Sequence, residues 1–286
     1  MTDAPADARN AEQIAFWNGL GGERWTKAQE SADRVLAPVS AALLARAAAQ
    51  SGERVMDIGC GCGDTSIALA ESVGPTGHVL GLDVSETMLA RARQRAPRGA
   101  SVRLVLADAT VHPFKPASYD LLVSRFGVMF FADPAASFAN MRMGLRTGGH
   151  VAFACWREPK QNPWAMTPLQ AVYKHVPRMP SPGPDDPGLF SFAQDTRVRR
   201  ILSDAGFAST SMEKCDISFD IAQGNGLDAA VETALTLGPS MRAMKDATPE
   251  VKVACKTSIR EALAPHVSGQ SVPLGAGIWI VTAQNP

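Results

Sequence analysis

The chain has 286 residues, 45% of them apolar, so it can bury a sizeable core in one large or two modest domains. Lys plus Arg equals Asp plus Glu at 28 each, so no net charge favours a nucleic acid or an anionic membrane as partner. No apolar run approaches the ~20 residues of a membrane span, and the polar start MTDAPADARN is not typical of a signal peptide. We therefore expect a cytoplasmic protein.

Strand and helix patterns alternate along the chain, which is typical of a parallel sheet covered by helices on both faces. A helical segment before residue 50 is predicted as an N-terminal cap, residues 1–49. Five strands are then predicted at 54–58, 78–84, 101–108, 119–126 and 151–156. Helices between them are predicted from 65 to Gly74, from the N-cap Ser85 to 96, and from the N-cap Asp133 to about 146.

The C-terminal half has a different composition. Residues 157–188 contain eight prolines, which predicts an excursion without regular core elements, a lid at 157–195. Residues 196–286 are predicted to complete the core, with a helix at 194–207, strands at 209–221 and 277–284, and an inserted helical segment at about 222–270. We expect both inserted segments to form a mobile cover that selects the substrate.

Three glycines follow the first predicted strand at alternate positions, Gly59, Gly61 and Gly63, and glycine lets a ligand approach the main chain closely. A triphosphate loop would need a Lys after the last glycine, whereas Asp64 stands there. A dinucleotide fingerprint would need a glycine at the position of Asp64, and a pyrophosphate would be repelled by Asp57 and Asp64. The dinucleotide hypothesis is weakened but stays open.

A ligand with an ammonium and a sulfonium group, and no phosphate, fits this acidic turn. The stretch VMDIGCGCGDT resembles the first motif of the class I S-adenosylmethionine-dependent methyltransferases, an acidic residue, a hydrophobic residue and G-x-G-x-G. The segment at residues 50–156 carries the resemblance, and the N-terminal helices are most like the ubiquinone and menaquinone biosynthesis type. The resemblance implies an α/β fold: a Rossmann-like, seven-stranded, mostly parallel sheet with an antiparallel final strand, plus the helical N-terminal and lid additions.

Residues at the carboxyl ends of the strands are the candidates for holding the cofactor. Asp83 ends the second strand, where an acid can accept hydrogen bonds from both ribose hydroxyls. The resemblance implies that Asp108 and Ala109 address the adenine, that Ser124 addresses the methionine part, and that Trp25 closes over it. Helix packing is the alternative for Trp25. The predicted cofactor set is Trp25, Asp57, Gly59, Cys60, Gly61, Asp83, Val84, Met88, Asp108, Ala109 and Ser124.

Apolar and aromatic residues after the fourth and fifth strands predict a pocket for an aromatic, quinone-like or lipid-like acceptor. The predicted acceptor set is Arg125, Phe126, Met129, Trp156 and Trp164, with Phe130 beside them. The alternatives are that Arg125 is a structural ion-pair partner and that several of the apolar residues belong to the core.

The predicted reaction is in-line displacement of a methyl group onto a small metabolite, for which position alone can suffice, so no catalytic base is assigned. An NAD(P)-dependent oxidoreductase and a non-catalytic S-adenosylmethionine-binding module are the alternatives. No metal site is predicted, because the five cysteines lack ligand spacing. The basic cluster at 91–103 is interpreted as a solvated helix face, with RNA contact as the alternative. A homodimer is left open.

Overall fold

A seven-stranded sheet organises the protein in the computed structural model, which describes residues 10–183 and 185–286. Its order is β3-β2-β1-β4-β5-β7-β6. Neighbouring strands are parallel from β3 to β5, whereas β7 runs antiparallel to both β5 and β6. The strands are β1 Arg54–Ile58, β2 His78–Asp83, β3 Val102–Leu106, β4 Tyr119–Arg125, β5 Leu145–Trp156, β6 Ala208–Asp220 and β7 Pro273–Gln284. The predicted fold class is confirmed.

Eleven α-helices within the described residues flank the sheet. They are α1 Ala11–Asn18, α2 Leu20–Lys27, α3 Gln29–Ala47, α4 Asp64–Val73, α5 Glu86–Arg95, α6 Pro134–Gly144, α7 Pro163–Val172, α8 Asp195–Asp204, α9 Gly226–Thr236, α10 Pro239–Ala243 and α11 Pro249–Leu263. The last three lie between β6 and β7, as predicted for the inserted segment. Residues 1–9 of the predicted cap lie outside the described residues.

Local sequence signals explain where these helices begin and end. The Ser85 hydroxyl accepts a hydrogen bond from the amide of Met88 at the start of α5, and the Asp133 carboxylate accepts one from the amide of Ala136 in α6. Gly74, with φ of 67°, ends α4 in the left-handed region. The first part of the core is therefore encoded locally, element by element.

The sheet's centre forms the core. Leu121, Leu122 and Val123 of β4 are fully buried, as are Val151 and Phe153 of β5. Such continuous apolar runs are expected for strands that are covered on both faces. This rigid centre carries the carboxyl ends of β1, β2, β3 and β4, from which the candidate site is built.

The prediction of an irregular excursion at 157–195 is wrong for its first half, because it contains the helix α7, which packs against α10 and α11. Pro163 occupies the first helical position, where its missing N–H would lack a partner in any case. Pro168 lies inside the helix, where it removes one backbone hydrogen bond. Burial of Trp164 and Leu169 offsets the cost of that loss. Proline count alone therefore underestimated the regular structure.

The fifth strand also begins earlier than predicted, at Leu145 rather than at residue 151. Asn285, near the chain end, explains the extension, because its side-chain amide donates to the carbonyls of Leu145 and Arg146. Its own carbonyl accepts from the amide of Gly148. In the part of the chain that the structure describes, no helix combines the length and apolar character needed to cross a bilayer.

Candidate active site

The turn after β1 is built from three glycines in the left-handed region, with φ of 69° at Gly59, 55° at Gly61 and 86° at Gly63. A Cβ atom at Gly59 would lie 2.8 Å from the Cα of Gly127, and one at Gly63 would lie 3.0 Å from the Cβ of Ala92. The turn therefore needs glycine both for its backbone conformation and for its packing against the segment after β4 and against α5.

Asp57 lies fully buried in β1, one residue before the strand ends. Its Oδ2 accepts hydrogen bonds from the hydroxyls of Thr65 (2.7 Å) and Ser66 (2.6 Å) at the start of α4. Its Oδ1 is buried with no hydrogen-bond partner among the described residues. Burial raises the pKa of this carboxyl, although the two hydroxyls oppose the shift. An unsatisfied carboxylate oxygen beside a glycine turn is a feature that a cationic ligand would satisfy.

Asp83 ends β2 beside the same turn. Its Oδ2 accepts from the amide of Gly61 (2.7 Å) and its Oδ1 accepts from the amide of Ser85 (2.8 Å). Burial raises its pKa to about 6, and these backbone hydrogen bonds limit the rise. Because a carboxylate oxygen has more than one lone pair, Asp83 can still accept hydroxyl donors. Next to it, Val84 accepts at its carbonyl from Asn18, and the methyl end of Met88 lies beneath Gly61.

Asp108 follows β3 and is buried. Its Oδ1 accepts from the amide of Thr110 (3.0 Å) and from the side-chain amide of Asn10 (3.1 Å). The carbonyl of the neighbouring Ala109 accepts from the side chain of Asn140 (2.9 Å). The predicted adenine pair is therefore held at the same edge of the sheet as Asp57 and Asp83, and one N-terminal residue contacts it.

Ser124 joins the carboxyl ends of β1 and β4. Its hydroxyl donates to the carbonyl of Ile58 (2.7 Å) and accepts from the amide of Gly127 (3.2 Å). Phe126 between them has a φ of 68°, a left-handed conformation that is uncommon for a bulky residue. Ser124 thus links the residue before the glycine turn, Ile58, to Gly127 after β4.

Arg125 lies in an ion-pair cluster with groups from α3 and α4. Its Nη1 lies 2.6 Å from Oδ2 of Asp64 and donates to the hydroxyl of Ser40 (2.6 Å), and its Nη2 lies 3.7 Å from Asp33. Arg95 pairs with the same Asp33 at 2.8 Å. The charge of Asp64 is therefore compensated, so the electrostatic argument against a pyrophosphate depends on Asp57 and Asp83.

The N-terminal helices lie over the carboxyl ends of the strands. Trp17 of α1 makes an edge-to-face contact with Phe130, their ring centroids 5.4 Å apart. Asn18 donates to the carbonyl of Val84 (2.7 Å) and accepts from the amide of Glu86 (3.1 Å). Trp25 of α2 is partly buried and packs on the hydrophobic core. Of the two tryptophans, Trp17 is the one that the structure places against the loop after β4.

The aromatic residues predicted for the acceptor form one cluster. Phe126 stacks on Trp156 with centroids 4.1 Å apart, and Trp156 lies 4.7 Å from Trp164. Phe219 of β6 contacts both tryptophans. Trp156 (2% exposed), Trp164 (9%) and Met129 (1%) are buried, whereas Phe126 and Phe130 are half-buried. The two half-buried rings are the ones with exposed surface that a bound molecule could contact.

Two buried thiols, those of Cys60 and Cys62, belong to the glycine turn. All five cysteines are free thiols, and burial raises the pKa of Cys60, while that of Cys62 rises to about 11. Neither turn cysteine is therefore a thiolate near neutral pH. His175 is hydrogen-bonded to the hydroxyl of Ser258 at 2.8 Å, between α7 and α11.

Sequence reasoning missed Asn10, Asn18 and Asp33, which lie between 66 and 98 residues along the chain from Asp108, Val84 and Arg125 respectively. No local motif marks them. The helical pattern predicted the cap, but it did not show which polar side chains of that cap face the strand ends.

Comparison with known proteins finds similarity to methyltransferases. Residues 55–149 match a family model described as a methyltransferase domain. A 102-residue stretch is 37% identical to a demethylmenaquinone methyltransferase of Staphylococcus aureus, covering 36% of this chain and 42% of that protein. The match thus spans about two fifths of the curated relative's length.

Solved structures resemble more of the chain at lower identity. Phosphoethanolamine N-methyltransferase 2 of Haemonchus contortus, in complex with S-adenosylhomocysteine, aligns with a TM-score of 0.58 and 16% identity, over 99% of this chain and 61% of that one. Geranyl diphosphate C-methyltransferase of Streptomyces coelicolor aligns with a TM-score of 0.55 and 15% identity, over 99% of this chain and all of that one. At these identities the likeness concerns the fold.

Proposed function

We propose that this chain, whose residues 55–149 match a methyltransferase domain, is a class I S-adenosylmethionine-dependent methyltransferase that moves a methyl group to a small metabolite. The observation that carries the proposal is the set of three buried carboxylates, Asp57, Asp83 and Asp108, at the carboxyl ends of β1, β2 and β3. Their charge suits a ligand with hydroxyl and amine donors and disfavours a pyrophosphate.

The residues present fit this cofactor. The orphaned Oδ1 of Asp57 beside the glycine turn would receive its cationic amino acid end, and Asp83 would accept its ribose hydroxyls. Asp108 would accept the adenine amino group, with Ala109 beside it, and Met88 would line the turn. In this proposal Ser124 acts as a positioning residue, because its hydroxyl is committed to Ile58 and Gly127.

The cofactor supplies an activated sulfonium methyl group when it is bound. The chain's task is then to hold the acceptor in line with that group and to exclude water. The cofactor would be covered by α1 and α2, with the rings of Trp17 and Phe130 in contact at the edge of this cover. A general base is needed only for an acceptor that arrives protonated and weakly acidic.

For the acceptor we propose an apolar or aromatic small molecule, in contact with the half-buried rings of Phe126 and Phe130. Trp156 and Trp164 would support Phe126 from behind, through the stack at 4.1 Å. The cover would come from residues 157–195 and from the helices α9 to α11. The demethylmenaquinone specificity in the relative's name supports this class of acceptor.

Two measurements test the proposal. Calorimetry with S-adenosylhomocysteine and with NAD should show micromolar-range binding of the first alone, and the reverse result would favour the oxidoreductase alternative. Transfer of labelled methyl groups from S-adenosylmethionine to a metabolite extract should then yield a product soluble in organic solvent. Cofactor binding without any transfer would instead identify a non-catalytic binding module.

A further inference from the structure

A cavity of about 250 Å³ lies at the amino ends of β1, β2 and β3. We call it the amino-edge pocket, and its lining is Arg54, His78, Leu80, Arg103, Val105, His112, Pro113, Lys115 and Tyr119. Arg54 and His78 begin their strands, whereas the glycine turn follows the last residue of β1, about 13 Å away at ~3.3 Å per residue. The pocket is therefore separate from the candidate active site.

The chain connection explains why the pocket exists. Arg54 pairs with His78 and Leu80 with Arg103 in register, so these side chains share one face of the sheet. Gly81 faces the other side, where a Cβ atom would lie 2.8 Å from the hydroxyl of Ser66 in α4. The connection from β3 to β4 has no helix in the structure, so only the loop at 107–118 encloses the pocket on its own face.

Positive charge in the pocket is not compensated. The described hydrogen bonds and ion pairs include none for the side chains of His78, Arg103, His112 or Lys115, and no carboxylate is among the lining residues. Arg54 donates to the carbonyl of Ser118 (2.9 Å) and lies over the ring of Tyr119. The exposed Arg93 of α5, by contrast, is paired with Glu86. Three cationic side chains, those of Arg54, Arg103 and Lys115, therefore line one concave site without a carboxylate partner, although the chain as a whole is neutral.

The pKa values of the two histidines reflect the same positive charge. Burial lowers the pKa of His78, and Arg54 and Arg103 lower it further. Burial also lowers the pKa of His112, again with a contribution from Arg103. A bound anion would reverse the cationic contribution and raise both pKa values.

We propose that the amino-edge pocket binds the phosphate or diphosphate group of a small metabolite. Arg103 and Lys115 are exposed and can turn toward a shared anion, which Arg binds as a fork and Lys as a point charge. Arg54, held over Tyr119, supplies a third fixed charge. Leu80, Val105 and Pro113 provide an apolar wall for the body of the ligand.

Inorganic pyrophosphate is the probe that tests the site. Calorimetry at low ionic strength should show saturable binding of one pyrophosphate per chain, weaker binding of inorganic phosphate, and loss of affinity with added salt. Arg103→Gln and Lys115→Gln should each weaken binding by about tenfold, the effect of one charge-assisted contact. The matched control is Lys252→Gln, which removes one exposed positive charge from α11 and should leave binding unchanged.

Proton NMR of the unsubstituted protein provides a readout that does not depend on variants: the pKa values of His78 and His112 should rise when pyrophosphate is added. The proposal is overturned if pyrophosphate does not saturate, if Lys252→Gln weakens binding as much as Arg103→Gln, or if the histidine pKa values do not move. Binding of an oligonucleotide that pyrophosphate cannot displace would also overturn it, in favour of a nucleic-acid surface. S-adenosylhomocysteine binding is measured separately and at a different site. Failure of the pyrophosphate test would therefore leave the proposed methyltransferase function standing, and the reverse also holds.

Discussion

The side-chain amide of Asn10 donates a 3.1 Å hydrogen bond to Oδ1 of Asp108, the carboxylate that follows β3. Asn10 is 4% exposed, and its own carbonyl oxygen accepts from the amide of Ala132 (3.3 Å). An amide NH2 offers the same donor as the amino group of adenine. If the adenine amino group takes the position at Oδ1 that the Asn10 amide occupies, the N-terminal segment and the cofactor compete for that position.

This competition predicts that Asn10→Ala strengthens S-adenosylhomocysteine binding, by up to about tenfold, because a hydrogen bond to a charged group no longer has to be broken. Calorimetry measures the affinity. Asn18→Ala is the comparison, since it removes hydrogen bonds of α1 to Val84 and Glu86 without touching Asp108. A weaker affinity in Asn10→Ala would show that Asn10 belongs to the closed, cofactor-bound state instead.

Asp83→Ala should lower cofactor affinity by at least tenfold, because it removes the acceptor for two ribose hydroxyls. The structure adds a stability cost, since the amides of Gly61 and Ser85 also lose their acceptor. Asp220→Ala is the matched control: its carboxylate also accepts backbone amides, those of Ala222 and Gly224 among them, but away from the glycine turn. Both variants should melt at lower temperature, and only Asp83→Ala should lose affinity. Unchanged affinity would leave Asp83 as a turn-stabilising residue.

The pKa of Asp83, raised to about 6 by burial, predicts a pH dependence of binding. The ionised carboxylate is the better acceptor, so cofactor affinity should be highest above pH 7 and fall as pH drops below about 6. For folding the sign is opposite: the raised pKa means that the folded state holds this proton more tightly, so this group's contribution to the free energy of unfolding decreases as pH rises from about 4 to 6.

Asp83→Asn separates this titration from that of Asp57, whose pKa burial also raises. Titration calorimetry between pH 5 and 8 should give a flatter affinity profile for Asp83→Asn than for the unsubstituted protein. Equal slopes in the two proteins would assign the pH dependence to another group.

The sequence predicted the elements from β1 to β4 well, because each carries its own signals: apolar runs for the strands, Ser85 and Asp133 as caps, and glycine at Gly74. The acidic strand ends were also predictable, since parallel strands bring their carboxyl ends to one edge. The contacts of Arg125 with Asp64 and of Asn10 with Asp108 were not, because they depend on how α1 to α3 pack on the sheet. The helix α7 was missed because burial of Trp164 outweighs the cost of Pro168.

Arg125→Met should destabilise the fold by about 2 kcal/mol, because Asp64 loses its ion-pair partner at 2.6 Å, whereas Asp33 keeps its pair with Arg95. The double variant Arg125→Met/Asp64→Asn should recover part of that loss. Chemical denaturation of the single and double variants gives the free energies of unfolding for this double-mutant cycle. Once an acceptor is identified, its KM discriminates the two roles of Arg125. A structural ion pair leaves the KM of the folded variant within a few fold, whereas a direct acceptor contact raises it strongly.

The cover prediction concerns residues 157–195, which the structure fastens to the loop after β4. The amide of Gly188 and the hydroxyl of Ser191 both donate to the carbonyl of Met129, at 3.1 and 2.8 Å. Arg197 of α8 pairs with Asp185 near the tip. At the tip these few polar contacts are what opening would have to break, whereas α7 and Phe192 belong to the buried core and would stay in place.

Replacing residues 181–186 with a Gly-Ser linker should therefore leave cofactor affinity within a few fold and depress turnover, because admission and release of the acceptor depend on the cover. Residue 184 of this tip lies outside the described residues. Ser191→Ala is the milder companion variant, and it should speed amide exchange around Gly188 by about fivefold through the loss of one hydrogen bond of ~1 kcal/mol. Hydrogen exchange should also show 157–195 gaining protection when S-adenosylhomocysteine and acceptor bind together. A segment that is fully protected before they bind, or a linker variant with unchanged turnover, would make the cover a static part of the fold with no role in acceptor selection.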